Sequence, residues 1–176
     1  MTEMDATARI VTASREIAAP ADEIFELIAD PARQPEWDGN DNLAASDSPR
    51  VRAVGESFAM ELTKDGAQRE NHVVEFEEGR LIAWLPSPVG EQPRGHLWRW
   101  ELEPIDERTT RVTHTYDWTN LTDETRFAKA LATTEASLDA SIANLQRLAE
   151  GAAAGGQGEP GPAVESDSPE MPPADA

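Results

Sequence analysis

Two segments late in the chain alternate between large apolar or aromatic residues and mostly charged or hydroxyl-bearing ones. Residues 96–102 are HLWRWEL and residues 112–118 are VTHTYDW. Successive side chains of a β-strand point to opposite faces of the sheet, so this period of two predicts two strands, each with one buried face. The residues of the two buried faces are His96, Trp98, Trp100, Leu102, Val112, His114, Tyr116 and Trp118.

The polar stretch between these segments predicts that they form a β-hairpin. If the loop is 106–108, Ile105 pairs with Thr109, and every inward residue then lies opposite another inward residue. The expected pairs are Leu102 with Val112, Trp100 with His114, Trp98 with Tyr116, and His96 with Trp118. A slip of one residue would break every match, so the hydrophobic pattern favours this register.

The same period of two predicts further strands upstream. They are expected at about 8–17, 42–46, 56–63, 69–78 and 80–85, before the hairpin strands at 95–105 and 109–118. Prolines 86, 88 and 93 are expected in an exposed loop that separates 80–85 from the hairpin, because proline interrupts a sheet.

Helical signals lie on both sides of these strands. Pro20 predicts the start of a helix over about 20–29, and Asp30-Pro31 predicts a second, brief one. Near the C-terminus, apolar residues recur with helical spacing up to about residue 149, and Thr122 is a suitable N-cap. We therefore expect one long amphipathic helix over about 122–149.

Composition divides the chain into three parts. Residues 1–7 are expected to be a flexible leader and residues 8–149 one folded domain. Residues 150–176 are rich in Gly, Pro, Ala, Ser and acids, and such a segment buries too little apolar surface to offset its ordering entropy. We predict that this segment is a disordered acidic tail.

Charge and composition exclude several classes of function. The net charge is −19; five acids and no base lie from Gly151 onward, which leaves −14 for residues 1–150. Such a surface repels nucleic-acid phosphates and anionic membranes. No apolar run approaches the roughly 18 residues of a membrane span, and no signal peptide is apparent. We expect a cytoplasmic protein without stable membrane insertion.

Cysteine, metal and nucleophile motifs are missing as well. The chain has no cysteine, and its three histidines show no zinc-binding spacing. No phosphate-cradling glycine loop and no GxSxG nucleophile motif is present. We expect neither a metal nor a cofactor.

The order of elements predicts an α+β domain. Antiparallel strands in succession, followed by one amphipathic helix, can form a curved sheet of about seven strands around that helix. Where the concave face and the helix do not meet, the gap becomes a cavity, and small ligands bind in such cavities.

Two segments carry a resemblance to a known superfamily. Residues 15–39, REIAAPADEIFELIADPARQPEWDG, and residues 73–84, VVEFEEGRLIAW, are similar to the START-like helix-grip superfamily (SRPBCC), in particular its polyketide cyclase/dehydrase and lipid-transport proteins. The resemblance covers about residues 8–149 and implies the helix-grip fold, with two short helices after the first strand. Because that superfamily includes carriers, cyclases, receptors and chaperone activators, it implies no single activity.

The predicted inner faces supply the candidate ligand contacts. Buried histidines and a buried tyrosine need polar partners, which a ligand, trapped water or an ordinary core contact can supply. The candidate ligand-binding residues are Trp98, Trp100, His96, His114, Tyr116, Trp118, Phe58, Met60, Trp84, Phe127, Leu131 and Thr134, with Leu62 and Leu138 as further wall positions. Trp37 lies either at the cavity mouth or in the core edge. The face of His72 depends on the length of the turn at Asp65-Gly66, and both alternatives stay open.

Three functions are compatible with this reading. The first is binding or transport of a small hydrophobic ligand, such as a lipid, polyketide or aromatic metabolite. The second is a polyketide cyclase or dehydratase, with His114 as proton acceptor and Tyr116 as donor. The third is a protein-interaction module without a ligand.

Overall fold

The computed structural model describes residues 9–39, 43–64 and 66–157. The predicted leader over 1–7 and residues 158–176 of the predicted tail lie outside the described residues. The strands are β1 (Ile10–Ile17), β2 (Leu43–Ala45), β3 (Ser57–Leu62), β4 (Gln68–Glu77), β5 (Leu81–Pro88), β6 (Leu97–Asp106) and β7 (Thr109–Asp117). They lie where the alternating pattern predicted strands, except that β5 continues to Pro88.

The helices lie before β2 and after β7. They are α1 (Ala21–Ala29), a 3₁₀ turn (Pro31–Arg33), α2 (Gln34–Trp37), a second 3₁₀ turn (Glu124–Arg126), α3 (Phe127–Leu131) and α4 (Glu135–Gln157). Asp30 begins the first 3₁₀ turn by accepting a hydrogen bond from the Ala32 backbone, as its position before Pro31 predicted. Within the described ranges, no helix has both the length and the hydrophobicity needed to cross a membrane.

All seven strands belong to one antiparallel sheet of order β1-β7-β6-β5-β4-β3-β2. Strands β2 to β7 pair with their neighbours in sequence, whereas β1 pairs with β7, from Ile10 opposite Asp117 to Ile17 opposite Thr110. The sheet is curved, with the C-terminal helix against it, and the α+β helix-grip expectation is confirmed.

Apolar stripes on the helices explain why they cover the sheet. In α1, Ile24, Phe25 and Ile28 are fully buried on one face, while Asp22 and Glu23 face solvent in the first turn. In α4, the buried residues Leu138, Ile142, Leu145 and Ala149 recur every three or four positions. This spacing gives one apolar stripe along the helix, and α4 packs it against β1 and β7.

The single helix expected over about 122–149 is wrong in its bounds. The Asp123 carboxylate, rather than Thr122, caps the segment, and the chain forms a 3₁₀ turn and the short α3 before it breaks. Helix α4 begins where Thr134 and Ser137 exchange hydrogen bonds between side chain and backbone. It then extends beyond residue 149 to Gln157.

The predicted end of the fifth strand and the proline loop after it also need correction. Pro86 and Pro88 belong to β5, opposite Asn71 and Arg69 of β4, rather than to a loop. Strand β5 pairs with β6 only as far as Trp84, so beyond that residue β5 has one unpaired edge, and proline is tolerated in strands with such an edge.

The hairpin register agrees with the prediction over most of its length. Trp100 lies opposite His114, and Trp98 lies opposite Tyr116. At the tip, a register shift between Pro104 and Asp106 pairs Asp106, not Ile105, with Thr109. The expected pair of His96 with Trp118 is not formed, because β6 starts only at Leu97.

Candidate ligand-binding site

A cavity of about 170 Å³ lies between the inner face of the sheet and the helices. Strands β2 to β7 supply most of its aromatic and apolar wall, and α2, the 3₁₀ turn before α3, α3 and α4 supply most of the rest. The lining residues are Gln34, Trp37, Asp38, Leu43, Met60, Leu62, Arg69, Asn71, Trp84, Pro86, His96, Trp98, Trp100, His114, Arg126, Lys129 and Ser141. A pocket therefore forms where the sequence predicted one.

Stacked rings form the inner end of the cavity. The indole of Trp100 and the imidazole of His114 are nearly parallel, at 11°, with their centroids 3.7 Å apart. Trp37 and Trp100 pack in a T-shaped arrangement with centroids 5.2 Å apart, and Trp98 tilts against His114 at 5.6 Å. The register of β6 and β7 sets the stack, because it places Trp100 directly opposite His114.

Hydrogen bonds from buried side chains fix the helical side of the cavity. Trp37 donates its Nε1 hydrogen to the carbonyl of Leu27 at 2.7 Å, and Gln34 donates through Nε2 to the carbonyl of Ile28 at 3.0 Å. Both acceptors are carbonyls of α1, whose last four carbonyls have no partner within the helix. The short α2 is thereby held against the end of α1.

Helix α4 holds α2 from the other side. The side chain of Asn144 donates to the carbonyl of Trp37 at 3.1 Å, and the Gly39 amide donates to Ser141 Oγ at 3.0 Å. A β-carbon at Gly39 would lie 2.5 Å from the backbone of Ala140, so only glycine allows this approach. Trp37 is 3% exposed and also lines the cavity, so it is a core residue that forms part of the cavity wall.

Several buried nitrogen atoms in the cavity wall lack a partner among the described residues. They are Nε1 of Trp100, Nδ1 of His96, and both ring nitrogens of His114. Trp100 is fully buried and His114 is only 4% exposed. Buried polar groups in native proteins nearly always have a hydrogen-bond partner, so these nitrogens are placed to form hydrogen bonds with a ligand or with water.

Burial keeps the ionisable rings of the site neutral near pH 7. Burial lowers the pKa of His114 to about 3, and the nearby backbone of Leu138 partly opposes this shift because it favours the protonated ring. No hydrogen bond forms between His114 and that backbone. Burial, together with the charges of Arg126 and other nearby cations, lowers the pKa of His96 to about 4. Burial raises the pKa of Tyr116 to about 12. Neutral imidazoles can both donate and accept hydrogen bonds.

The outer end of the cavity is basic. Arg69, Arg126 and Lys129 line it and lie near enough to His96 to lower the pKa of that ring. Arg69 and Arg126 are half-buried, and Lys129 is exposed. Among the described residues one carboxylate lines the cavity, that of Asp38, and it accepts a hydrogen bond from the Leu43 amide at 3.1 Å.

The structure places the predicted ligand contacts in two groups. Those at the cavity wall are His96, Trp98, Trp100, His114, Met60 and Trp84, together with Leu62. The others are elsewhere: Phe58 packs edge-on against Trp84, Trp118 packs against Phe127, Tyr116 lies behind Trp98, Leu138 is in the core, and Leu131 and Thr134 are exposed. The break between α3 and α4 explains the exposure of Leu131, since α3 does not continue the apolar stripe.

Sequence reasoning did not name the polar part of the lining. It passed over Gln34, Asp38, Arg69, Asn71, Arg126, Lys129 and Ser141. Asn71 had a usable signal, because a two-residue turn before β4 would place it on the inner face with Val73. The structure places Asn71 on this face, although in a register shifted by two residues from that turn, with Phe58 opposite Asn71.

His72 accordingly lies on the other face of β4, away from the cavity. Its Nε2 is 2.9 Å from the hydroxyl of Ser87. Among the described residues, no group of three or more metal-ligating side chains comes together.

Comparison with known proteins agrees with this architecture. The sequence pattern of the family described as polyketide cyclase/dehydrase and lipid transport matches residues 8–150. Protein Rv0088 of Mycobacterium tuberculosis is 32% identical over 157 residues, an alignment that covers 82% of this chain and 66% of that protein. The chain thus spans slightly less than two thirds of the length of this relative.

Solved structures share the fold at lower identity. Protein Ms6760 from Mycobacterium smegmatis is 17% identical, with a TM-score of 0.63 over 85% of this chain and 96% of the other. Protein MLL2253 from Mesorhizobium loti is 18% identical, with a TM-score of 0.59 over 81% of this chain and 97% of the other. The fold, the cavity and the match over residues 8–150 together establish that the chain belongs to the polyketide cyclase/dehydrase and lipid transport family, within the START-like helix-grip superfamily.

Proposed function

We propose that this protein binds or carries a small, largely apolar molecule in the cavity between its sheet and its helices. The observation that carries the proposal is the group of unpartnered nitrogens of Trp100 and His114, set in an aromatic wall. An aromatic wall binds an apolar body through its area, and a few polar groups orient it.

The volume of the cavity limits the size of the ligand. Pockets for drug-sized molecules measure roughly 300–1,000 Å³, whereas a dry apolar cavity of about 150 Å³ in another protein holds benzene. The 170 Å³ here suits one ring or a comparable group, with any remaining part directed toward the open end.

The cyclase or dehydratase alternative has weaker support. It requires His114 as base and Tyr116 as acid, yet no hydrogen bond joins these described residues, and Tyr116 is not part of the lining. A pKa of about 3 makes His114 a weak proton acceptor near neutral pH. The interaction-module alternative would be favoured by a filled core, and the cavity argues against it.

Native mass spectrometry of freshly purified protein, paired with denaturing extraction, tests the proposal. A panel of neutral and anionic single-ring compounds is then screened by isothermal titration calorimetry. We expect one bound molecule per chain, and we expect Leu62→Trp, which fills the cavity, to abolish binding. Val89→Trp is the matched control, because Val89 is 60% exposed and outside the lining. A clean mass and no heat of binding across the panel would overturn the proposal.

A further inference from the structure

The charges around the cavity oppose the charge of the chain as a whole. The chain carries 34 acidic and 15 basic residues. At the outer end of the cavity the ratio reverses: among the described residues, Arg69, Arg126 and Lys129 line it together with one carboxylate, that of Asp38. A local reversal of this kind is informative, because cations scattered over an acidic surface would normally lie beside carboxylates.

These three cations differ in whether a carboxylate of the protein pairs with them. Arg126 lies 3.4 Å from Asp123, a pair partly exposed to solvent. For Arg69 and Lys129, no carboxylate among the described residues lies within ion-pair distance. Six of the eleven other arginines do have one; Arg50, for example, pairs with both Glu26 and Glu78. The cations at the cavity therefore retain capacity for an external anion.

The inner end of the cavity requires a different chemical group from a ligand. Trp100 Nε1 can only donate a hydrogen bond, and the neutral ring of His114 can donate from one nitrogen and accept at the other. A hydroxyl or carbonyl oxygen satisfies such a pair, whereas a charged group there would be buried without a counter-charge. The cavity is thus basic at its open end and neutral but polar at its closed end.

We infer that the ligand is a single-ring aromatic carboxylate: its carboxylate binds to Arg69, Arg126 and Lys129, its ring lies among Trp98, Trp100 and Trp84, and a hydroxyl or carbonyl oxygen faces Trp100 and His114. This inference rests on the proposed function and specifies its ligand. A carboxylate receives charge-assisted hydrogen bonds from guanidinium and ammonium groups, which are stronger than those between neutral groups.

Three probes of similar shape test each part of the inference. They are 3-(4-hydroxyphenyl)propanoate, its primary amide, and 3-phenylpropanoate, each titrated by calorimetry into the ligand-free 176-residue chain. Hydrogen bonds to charged groups contribute enough that the acid should bind about tenfold to 100-fold more tightly than the amide. Loss of the hydroxyl should weaken binding by about tenfold, because it leaves buried nitrogens unpartnered again.

Matched variants assign the carboxylate to its binding residues. Arg69→Met and Lys129→Met should each weaken binding of the acid several-fold and leave binding of the amide unchanged. Arg108→Met removes the same charge at the exposed β6–β7 turn, outside the cavity lining, and should change neither affinity. The preference for the acid should also diminish with added salt. Circular dichroism and thermal unfolding verify that each variant is folded.

The outcomes separate this inference from the proposed function. Equal affinity for acid and amide, or an equal effect of Arg108→Met, overturns the carboxylate assignment while leaving ligand binding intact. Binding of neutral apolar compounds with no binding of any of the three probes also overturns only the inference. Failure of every compound, neutral and anionic, overturns the proposed function itself.

Discussion

Replacement of His114 by phenylalanine should change how the stability of this domain depends on pH. The His114 ring is 4% exposed, stacks on Trp100 at 3.7 Å, and has no hydrogen-bond partner among the described residues. Phenylalanine retains an aromatic ring for the stack and removes both nitrogens. The variant therefore isolates the effect of burying an imidazole.

The direction of the effect follows from the two protonation equilibria. An unfolded histidine has a pKa near 6.5, and burial lowers the pKa of His114 in the folded protein to about 3. Between these values the unfolded chain binds a proton that the folded chain does not, so stability falls with falling pH in that window. Above about pH 6.5 the contribution of His114 is constant, and the loss is complete near pH 3.

The magnitude can be worked out for one pH within the window. At about pH 4.5 the medium is roughly two pH units below the unfolded pKa and still above the folded one, so the loss is about 3 kcal/mol. This is a large fraction of the roughly 5–15 kcal/mol that stabilises a typical domain. At neutral pH, the variant should be about 1–3 kcal/mol more stable than the parent, because two unpartnered nitrogens are gone.

Urea unfolding followed by circular dichroism, at about pH 7.5 and about pH 4.5, measures both quantities for the two ligand-free proteins. His96, the carboxylates and the other acid-sensitive groups are present in both, so their contributions largely cancel in the difference. On acidification, the free energy of unfolding of the parent should fall by about 3 kcal/mol more than that of His114→Phe. Equal losses would refute the argument, and a larger loss in the variant would mean that His114 is charged and paired in the folded state.

Three further substitutions, the first with a matched control, test the packing of the domain. Gly95→Ala should lower the free energy of unfolding by at least about 3 kcal/mol in urea, because the residue has a φ of +109° and the added methyl would lie 2.1 Å from the carbonyl oxygen of Asn120. The control Gly90→Ala, at a φ of +79° with open space around it, should lower the free energy of unfolding by only about 1 kcal/mol. Equal effects of the two substitutions would contradict the steric argument. Trp37→Phe should lower stability by about 1–3 kcal/mol in thermal denaturation, because the buried carbonyl of Leu27 loses its donor, and an unchanged melting temperature would be inconsistent with that bond. Arg15→Met should lose less than about 1 kcal/mol, since its ion pair with Asp139 is well exposed, and a loss that persists in high salt would count against this view.

The fold was predictable because its strands have one buried face and one solvated face. The alternation around Trp100 and His114 determined both the strands and their register, since any slip would expose aromatic rings. The errors lie where local contacts override periodicity. The bulge at Ile105 depends on the turn, and the break before α4 depends on the exchange of hydrogen bonds between Thr134 and Ser137.

The candidate site was predictable only for its apolar half. Aromatic residues on an inner face must be near one another, so Trp98, Trp100 and His114 could be grouped from sequence alone. Charged residues such as Arg126 and Lys129 look like ordinary surface residues, because sequence does not show which part of the surface borders an opening. Their importance appears only when the fold brings them to the cavity with Arg69.

The pairing of β1 with β7 has a consequence for how the chain assembles. Strands β2 to β7 form successive hairpins whose contacts are close in sequence, so each can form as soon as its second strand leaves the ribosome. Ile17, by contrast, pairs with Thr110, and β1 also packs against α4. The earliest strand to be synthesised must therefore remain without its sheet partner until nearly the whole domain has been made. Closure of the cavity is then a late event, which completes the wall on which His114 lies and joins the two ends of the domain in one step.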